Sequence, residues 1–304
     1  MSLQLWQTIA ATAAAEMLPI HSHVAQSIEE FQRIRERHAC TPVELLEKNG
    51  VLSADAKMLL VHSMFLSQSD LNKLDPEKHV LGLCPASAVQ FGFPCNYPAW
   101  RANGLQVALG TDAACSNDNM DVQGELRLLA GGGVFGVWSS QESAEFLEGG
   151  SDAQAAGVQA VRQVSSSSYH MHVSSSSYDT QAVRQALLRA SSEWNKPGEL
   201  LKTVTSVPGS LHPALPVGAI RSGALANLLF VRLDHPNMWP SLAPLRGVCF
   251  SSLAPAIDGL MVAGKWVGQR GNFHQSVVRS ERYERHRQEA DRRFADLLVR
   301  AGIR

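Results

Sequence analysis

Three side chains able to do chemistry stand at comparable places in the first half of the chain. His23 stands next to last in the run MLPIHSHV (17–24), His62 sits within MLLVHSM (58–64), and Asp112 ends LQVALGTD (105–112). Imidazole and carboxylate donors without a thiolate suit a Zn²⁺ or Fe²⁺ ion that activates water. A neighbouring His or Asp then orients or deprotonates that water for attack on an electrophilic carbon. Ser87, in the segment CPAS (84–87), stands just past another apolar run, HVLGLC (79–84). A single His beside apolar residues is commonly a satisfied core residue, and Asp is a common turn residue. Two His and one Asp at equivalent places of successive strands are harder to assign to coincidence.

The elements that must position these groups follow from periodicity and capping. Residues 3–15 carry Leu5, Trp6, Ile9, Ala10 and Ala13 at helical spacing. Residues 17–24 read as a strand whose period of two puts His21 and His23 on one face. Ser27-Ile-Glu-Glu30 is a capping box that opens a helix ending near His38, and Gln26 lies just before it. Thr41-Pro-Val-Glu44 opens a second short helix closed by Gly50. Strands are expected at 58–64, 79–84 and 105–112, with helices at 67–74, 98–103 and 120–130 between and after them. Alternating strand and helix means βα units and a parallel sheet. The strand ends then share one rim, where His23, His62, Ser87 and Asp112 converge.

Beyond residue 138 the pattern changes. Residues 139–180 are polar and repetitive, with SSSSY at 165–169 and again at 174–178, and read as a flexible insertion. His170 and His172 lie within it, where Ser-rich flanks cannot hold a rigid metal site. Further helices are expected over 181–207. Residues 208–275 read as a small β subdomain with strands at 224–233, 245–252 and 259–269, the last turning at Ala263-Gly264. Residues 276–304 read as a helix with Phe294, Leu297 and Leu298 inward.

The formal net charge is −1, which leaves no electrostatic footprint for nucleic acid. No apolar run is long enough for a membrane span. Residues 1–17 lack a basic start and are broken by Gln4, Gln7 and Glu16, so they read as a helix and not as a signal peptide. Cys40, Cys84, Cys95, Cys115 and Cys249 are odd in number and show no CxxC spacing, which points to reduced thiols and a cytoplasmic setting.

The segment from Pro19 to Glu30, LLVHSMFLS, CPAS and GTDAACSNDNMD together resemble the amidohydrolase superfamily, in the branch holding guanine deaminase, methylthioadenosine/S-adenosylhomocysteine deaminase and the triazine hydrolases. PVGAIRSGALANLLFV and DGLMVAGKWV resemble the closing β-sandwich strands of that family. The resemblance implies an α/β fold: strands five to eight of a (β/α)₈ TIM-type barrel, with a small β-sandwich. It implies His23 and Asp112 as metal ligands, and His62 and Asp112 as catalytic groups. It places Gln26 and Ser87 at the substrate, a purine-like heterocycle losing an exocyclic amine. One Zn²⁺ or Fe²⁺ is expected per site, weakly held because this chain carries two of the protein ligands and not the HxH of strand one.

The chain departs from the family where Gln26 replaces a Glu, Ala88 an Asn and Asn227 an Asp. An amide cannot shuttle a proton, so a noncatalytic binding or assembly module is the alternative reading. A plain α/β protein whose polar strand ends bind an anion is a third. Half a barrel has unpaired strand edges, and a homo-oligomer that pairs them is expected.

Overall fold

In a computed structural model, residues 2–91, 97–132, 196–269 and 280–303 are described. The expected insertion and the helix expected from residue 181 lie outside them. The chain folds as two compact units, residues 1–219 and 220–304. No helix among the described residues is long and apolar enough to cross a membrane.

The first unit alternates helix and strand as its periodicity requires. Helix α1 (Leu3–Ala15) precedes β1 (Ile20–Val24), and α2 (Ile28–His38) and α3 (Pro42–Lys48) lead to β2 (Met58–His62). Helix α4 (Gln68–Lys73) leads to β3 (His79–Leu83), and α5 (Pro85–Phe91) and α6 (Tyr97–Ala102) to β4 (Gln106–Leu109). Then come α7 (Ala114–Asn117) and α8 (Val122–Gly132), followed by α9 (Pro197–Lys202) and α10 (Ser206–Gly209). The four strands form one parallel sheet in the order β1-β2-β3-β4.

Register fixes which residues share a face. His21, Leu59, Val80 and Gln106 align across the sheet, as do His23, Val61, Gly82 and Ala108. Leu59, Val80 and Ala108 pack against Val207 and Leu211, from α10 and just beyond it. Gly82 eases the packing there, because a Cβ would make a tight contact, 3.2 Å from both Cα and Cγ2 of Val61. The contribution of β1 to this face, His21 and His23, is exposed. On the opposite face Ile20, Met58, Leu60, Leu81 and Val107 are buried.

The starts of α3 and α4 interlock. Thr41 and Glu44 form a complete capping box on α3, and Ser67 and Asp70 form another on α4. The Thr41 hydroxyl also donates to the Asp70 carboxylate, so the two caps share one buried anion. Burial pushes the Asp70 carboxyl up, against the bonds from Thr41 and Ser67 that favour its ionised form.

The second unit contains one three-stranded antiparallel sheet among its described residues: β5 (Leu228–Val231), β6 (Ile257–Val262) and β7 (Lys265–Gln269). Among the described residues this is the one sheet of the unit, and a second sheet facing it, as in the expected sandwich, is not among them. The β6–β7 turn at Ala263-Gly264 is as expected, with φ of 48° and 78°, the left-handed pair that a type I′ turn needs. Asn227 stabilises it by accepting from the Ala263 N–H at 2.7 Å. The strand expected at 245–252 is instead a helix, α11 (Pro244–Phe250). Pro244 at its first turn sets a helical φ, and a short apolar run carries no period of its own to oppose that.

Helix α12 (Glu281–Arg300) forms as expected, but Phe294 and Leu297 do not face inward: they are 62% and 60% exposed. No residue of this helix is buried, and its surface is laced by pairs such as Arg287–Glu284 and Arg293–Glu289, each at 2.7 Å.

His79, 2% exposed, is a core histidine with both ring nitrogens used. Nδ1 accepts from the Asp75 N–H at 2.8 Å, so Nε2 carries the proton and donates to the Leu52 carbonyl at 3.2 Å. Burial holds its pKa below the ordinary 6.5, against the Leu52 and Asp75 contributions that favour charge. Above pH 6.5 the ring is neutral in both folded and unfolded chains. Below it the unfolded chain takes a proton that the folded chain refuses, so stability falls with falling pH. Denaturant unfolding from pH 7 to 5 is expected to show a drop that is smaller in His79→Gln, by up to about 1.4 kcal/mol per pH unit.

Candidate metal and catalytic site

The ends of the parallel strands carry the candidate site, and each is reached by an unusual backbone. Strand alternation would put His62 on the buried face with Met58 and Leu60, opposite Val24 in register. Instead His62 has φ of 68° and Ser63 of 49°, and this left-handed step re-aims the imidazole beyond the sheet end. Ala25, two residues past His23, has φ of 51°, and Asp112, three past β4, has φ of 58°.

The strained ends are tied down locally. The Ser63 N–H donates to the Val24 carbonyl at 3.0 Å, and the Phe65 N–H to the Ala25 carbonyl at 3.1 Å. Ser27 caps α2 by accepting from the Glu30 N–H, but Glu30 does not complete the expected box. Its carboxylate reaches back to the Ala25 and Gln26 N–H groups at 3.0 and 2.8 Å, two and three residues after His23.

The result is a cluster in which one ligand atom from each of His23, His62 and Asp112 lies within 4.8 Å of the others. The His23 and His62 rings stack with centroids 5.0 Å apart and planes 15° from parallel. His62 Nε2 stands 3.9 Å from Asp112 Oδ2, too far for a hydrogen bond. Two donors on one tetrahedral ion stand about 3.3 Å apart, so a small side-chain adjustment separates this spacing from a coordinating one. Ser87 belongs to the same cluster, donating to Asp112 Oδ2 at 2.7 Å. The Ala113 N–H donates to Asp112 Oδ1 at 2.7 Å. The Gln26 backbone N–H is held by Glu30 three residues after His23.

Electrostatics separates the charge states. Burial holds the His62 pKa down, and the neighbouring His23 adds to this against the opposing pull of Asp112. A neutral ring with a free lone pair results. Burial works to raise Asp112, but the bonds from Ser87, Ala113 and Ser116 and the His62 ring outweigh it and hold the carboxyl below its ordinary value. Cys84 at the end of β3 is a thiol, pushed up to about 12 by burial and by the Asp112 and Glu125 carboxylates. Neutral imidazole beside an ionised carboxylate fits a divalent cation and repels an anion, which removes the anion-binding reading.

Two carboxylates next to the site escaped the sequence reading. Glu30 was legible only as a helix cap. Glu125, 1% exposed, lies on the stripe of α8 that buries Leu126 and Leu129. An acid on an apolar helix face was the available signal.

The Amidohydrolase family model matches residues 5–135. This segment is an amidohydrolase family domain. Over 274 residues the chain is 25% identical to a 5-methylthioadenosine/S-adenosylhomocysteine deaminase of Pyrococcus furiosus, covering 90% of this chain and 52% of that protein. An enzyme of the same description from Halothermothrix orenii is 35% identical over 112 residues, 36% of this chain and 25% of that protein. A zinc-bound adenosine deaminase structure from Xanthomonas campestris superposes with a TM-score of 0.66 at 15% identity, over 94% of this chain and 54% of that one. That likeness is one of fold, a TIM-barrel-like α/β architecture. The chain spans about half the length of the Pyrococcus relative.

Glu30 accepts from both the Ala25 and the Gln26 N–H groups. Glu30→Gln, which keeps one acceptor oxygen, is expected to lower unfolding free energy by about 1–2 kcal/mol in urea titration. An unchanged midpoint would show that the β1 end does not depend on this carboxylate.

Proposed function

We propose that this domain is the site-bearing part of a metal-dependent hydrolase that deaminates a purine-like heterocycle, built on strands five to eight of a (β/α)₈ barrel. The observation that carries this reading is the meeting of His23, His62 and Asp112 within 4.8 Å at three strand ends. The parallel order β1-β2-β3-β4, the family match and the deaminases among the relatives support it.

His23 and Asp112 would hold the ion, with His62 beside them. When bound, a divalent ion supplies Lewis acidity that brings the pKa of water near neutrality. Asp112, kept ionised by Ser87 and Ala113, accepts a proton from water and returns it to the departing amine. Water oxygen thus bonds to the ring carbon, the C–N bond breaks, and ammonia leaves. His62, kept neutral by burial, accepts a hydrogen bond and orients the attacking water. Gln26 can hydrogen-bond the heterocycle but cannot relay a proton to it.

Zn²⁺ titration of the purified chain is expected to reach one equivalent, and His62→Ala to weaken binding about tenfold or more. Ammonia release from purine nucleosides should disappear with chelator and fall about a hundredfold or more in Asp112→Asn. Binding below about a tenth of an equivalent would overturn the reading.

The homo-oligomer is proposed at one particular edge. On β4 the outward Leu109 N–H is already taken by the Thr203 carbonyl at 2.9 Å. On β1, alternation points the His21 and His23 N–H groups away from β2, where His23 borders a groove of about 430 Å³ with Trp6, Arg33 and Arg37. Helix α2 is acidic in its first turn and basic in its last. A second copy related by a dyad sets opposite charges together while His21 and His23 exchange backbone bonds with their counterparts. Light scattering is expected to give a dimer, and His21→Pro, which deletes one outward N–H, a folded monomer. A monomeric parent chain would refute this edge.

A further inference from the structure

Glu125 is the buried group that the site chemistry leaves unused. Its two oxygens are committed to different elements. Oε2 accepts from the Ala86 N–H in the first turn of α5 at 2.8 Å, and Oε1 accepts from Asn117 Nδ2 at 2.6 Å. The same Asn117 nitrogen donates to the Thr111 carbonyl at 2.8 Å. Ala86 precedes Ser87, and Thr111 precedes Asp112. One carboxylate on α8 therefore fixes the residue before each partner of the Ser87–Asp112 bond.

Among the described residues no salt bridge offsets its charge. Burial raises the Glu125 carboxyl, the Ala86 and Asn117 bonds oppose this, and the Asp121 and Asp112 carboxylates add to the rise. A buried acid of this kind is unfavourable for folding unless its acceptor capacity is needed. Asp112 shows the need, since its φ of 58° is a conformation that a non-glycine residue keeps only when its surroundings impose it.

We infer that Glu125 is a positioning residue, which through Ala86–Ser87 and Asn117–Thr111 holds the Asp112 carboxylate turned toward His23 and His62. The inference rests on the metal-site reading for its consequence and on hydrogen-bond geometry for its substance. Glutamine is the sharp substitution. An amide that turns its NH₂ toward Ala86 sets two donors face to face there. One that turns its NH₂ toward Asn117 either opposes that donor or makes Asn117 flip and release Thr111. Every arrangement of Glu125→Gln breaks one arm while keeping the side-chain volume.

Two measurements on the full chain test this together. Co²⁺ is titrated into the parent and Glu125→Gln proteins, with visible ligand-field absorption reporting coordination and thermal unfolding reporting the fold. Crystal structures of both proteins give the Ser87–Asp112 separation and the Asp112 rotamer. The expected result is a folded variant that binds Co²⁺ about tenfold or more weakly, with an altered spectrum, and with the Ser87–Asp112 bond broken. Unchanged affinity and an unmoved Asp112 would overturn the inference, whatever the melting temperature. If the parent binds no Co²⁺, the metal reading fails and the crystal structures alone decide the positioning. If Glu125→Gln does not fold, Asn117→Ala cuts only the Thr111 arm, and is expected to move Asp112 and weaken Co²⁺ in the same direction.

Discussion

The left-handed backbone at the strand ends is the constraint on which the candidate site depends. Ala25, His62, Ser63 and Asp112 all take positive φ, at roughly 1–2 kcal/mol each for L-residues. Glycine would relieve the strain at His62 and Asp112 but would remove the side chains that the geometry serves to aim. The neighbourhood therefore holds the conformation from outside. Ser63 is bonded to Val24, Ala25 to Glu30, and the Asp112 carboxylate to Ser87 and Ala113.

Charge follows from the same geometry. His62 and Asp112 stand 3.9 Å apart, yet burial keeps the ring neutral while converging donors keep the carboxylate ionised. A simple ion pair would instead have raised the histidine and closed the gap. A neutral lone-pair donor beside an anion leaves net negative charge facing a small space, which a cation can satisfy. Outside this ring of contacts, Glu30 and Glu125 place their own carboxylates on backbone N–H groups and not in the space itself.

The two sides of the sheet are managed differently. Val207 and Leu211 cover the inner face over β2, β3 and β4, and the Thr203 carbonyl takes the outward N–H of Leu109. The residues of β1 on that face, His21 and His23, stay exposed. Among the described residues, later chain closes the β4 edge, and no backbone bond joins the outward N–H groups of β1, the strand that carries a site residue.

Periodicity and capping were enough to place β1 to β4, α1 to α4 and the Ala263-Gly264 turn, because those signals are local. They also put His23, His62, Ser87 and Asp112 at strand ends that share a rim. Sequence did not disclose the left-handed step at His62, since strand alternation assigns that ring to the wrong face. It gave Glu30 a cap role and Glu125 none, because their partners at Ala25, Ala86 and Asn117 depend on how loops fold back. The strand expected at 245–252 became a helix once Pro244 could open one, and Phe294 and Leu297 of α12 found no surface to cover. What the chain order determined was which chemical groups arrive at the ends of parallel strands. What three dimensions decided was their aim, charge and support, because side-chain direction and desolvation depend on neighbours that are remote in sequence.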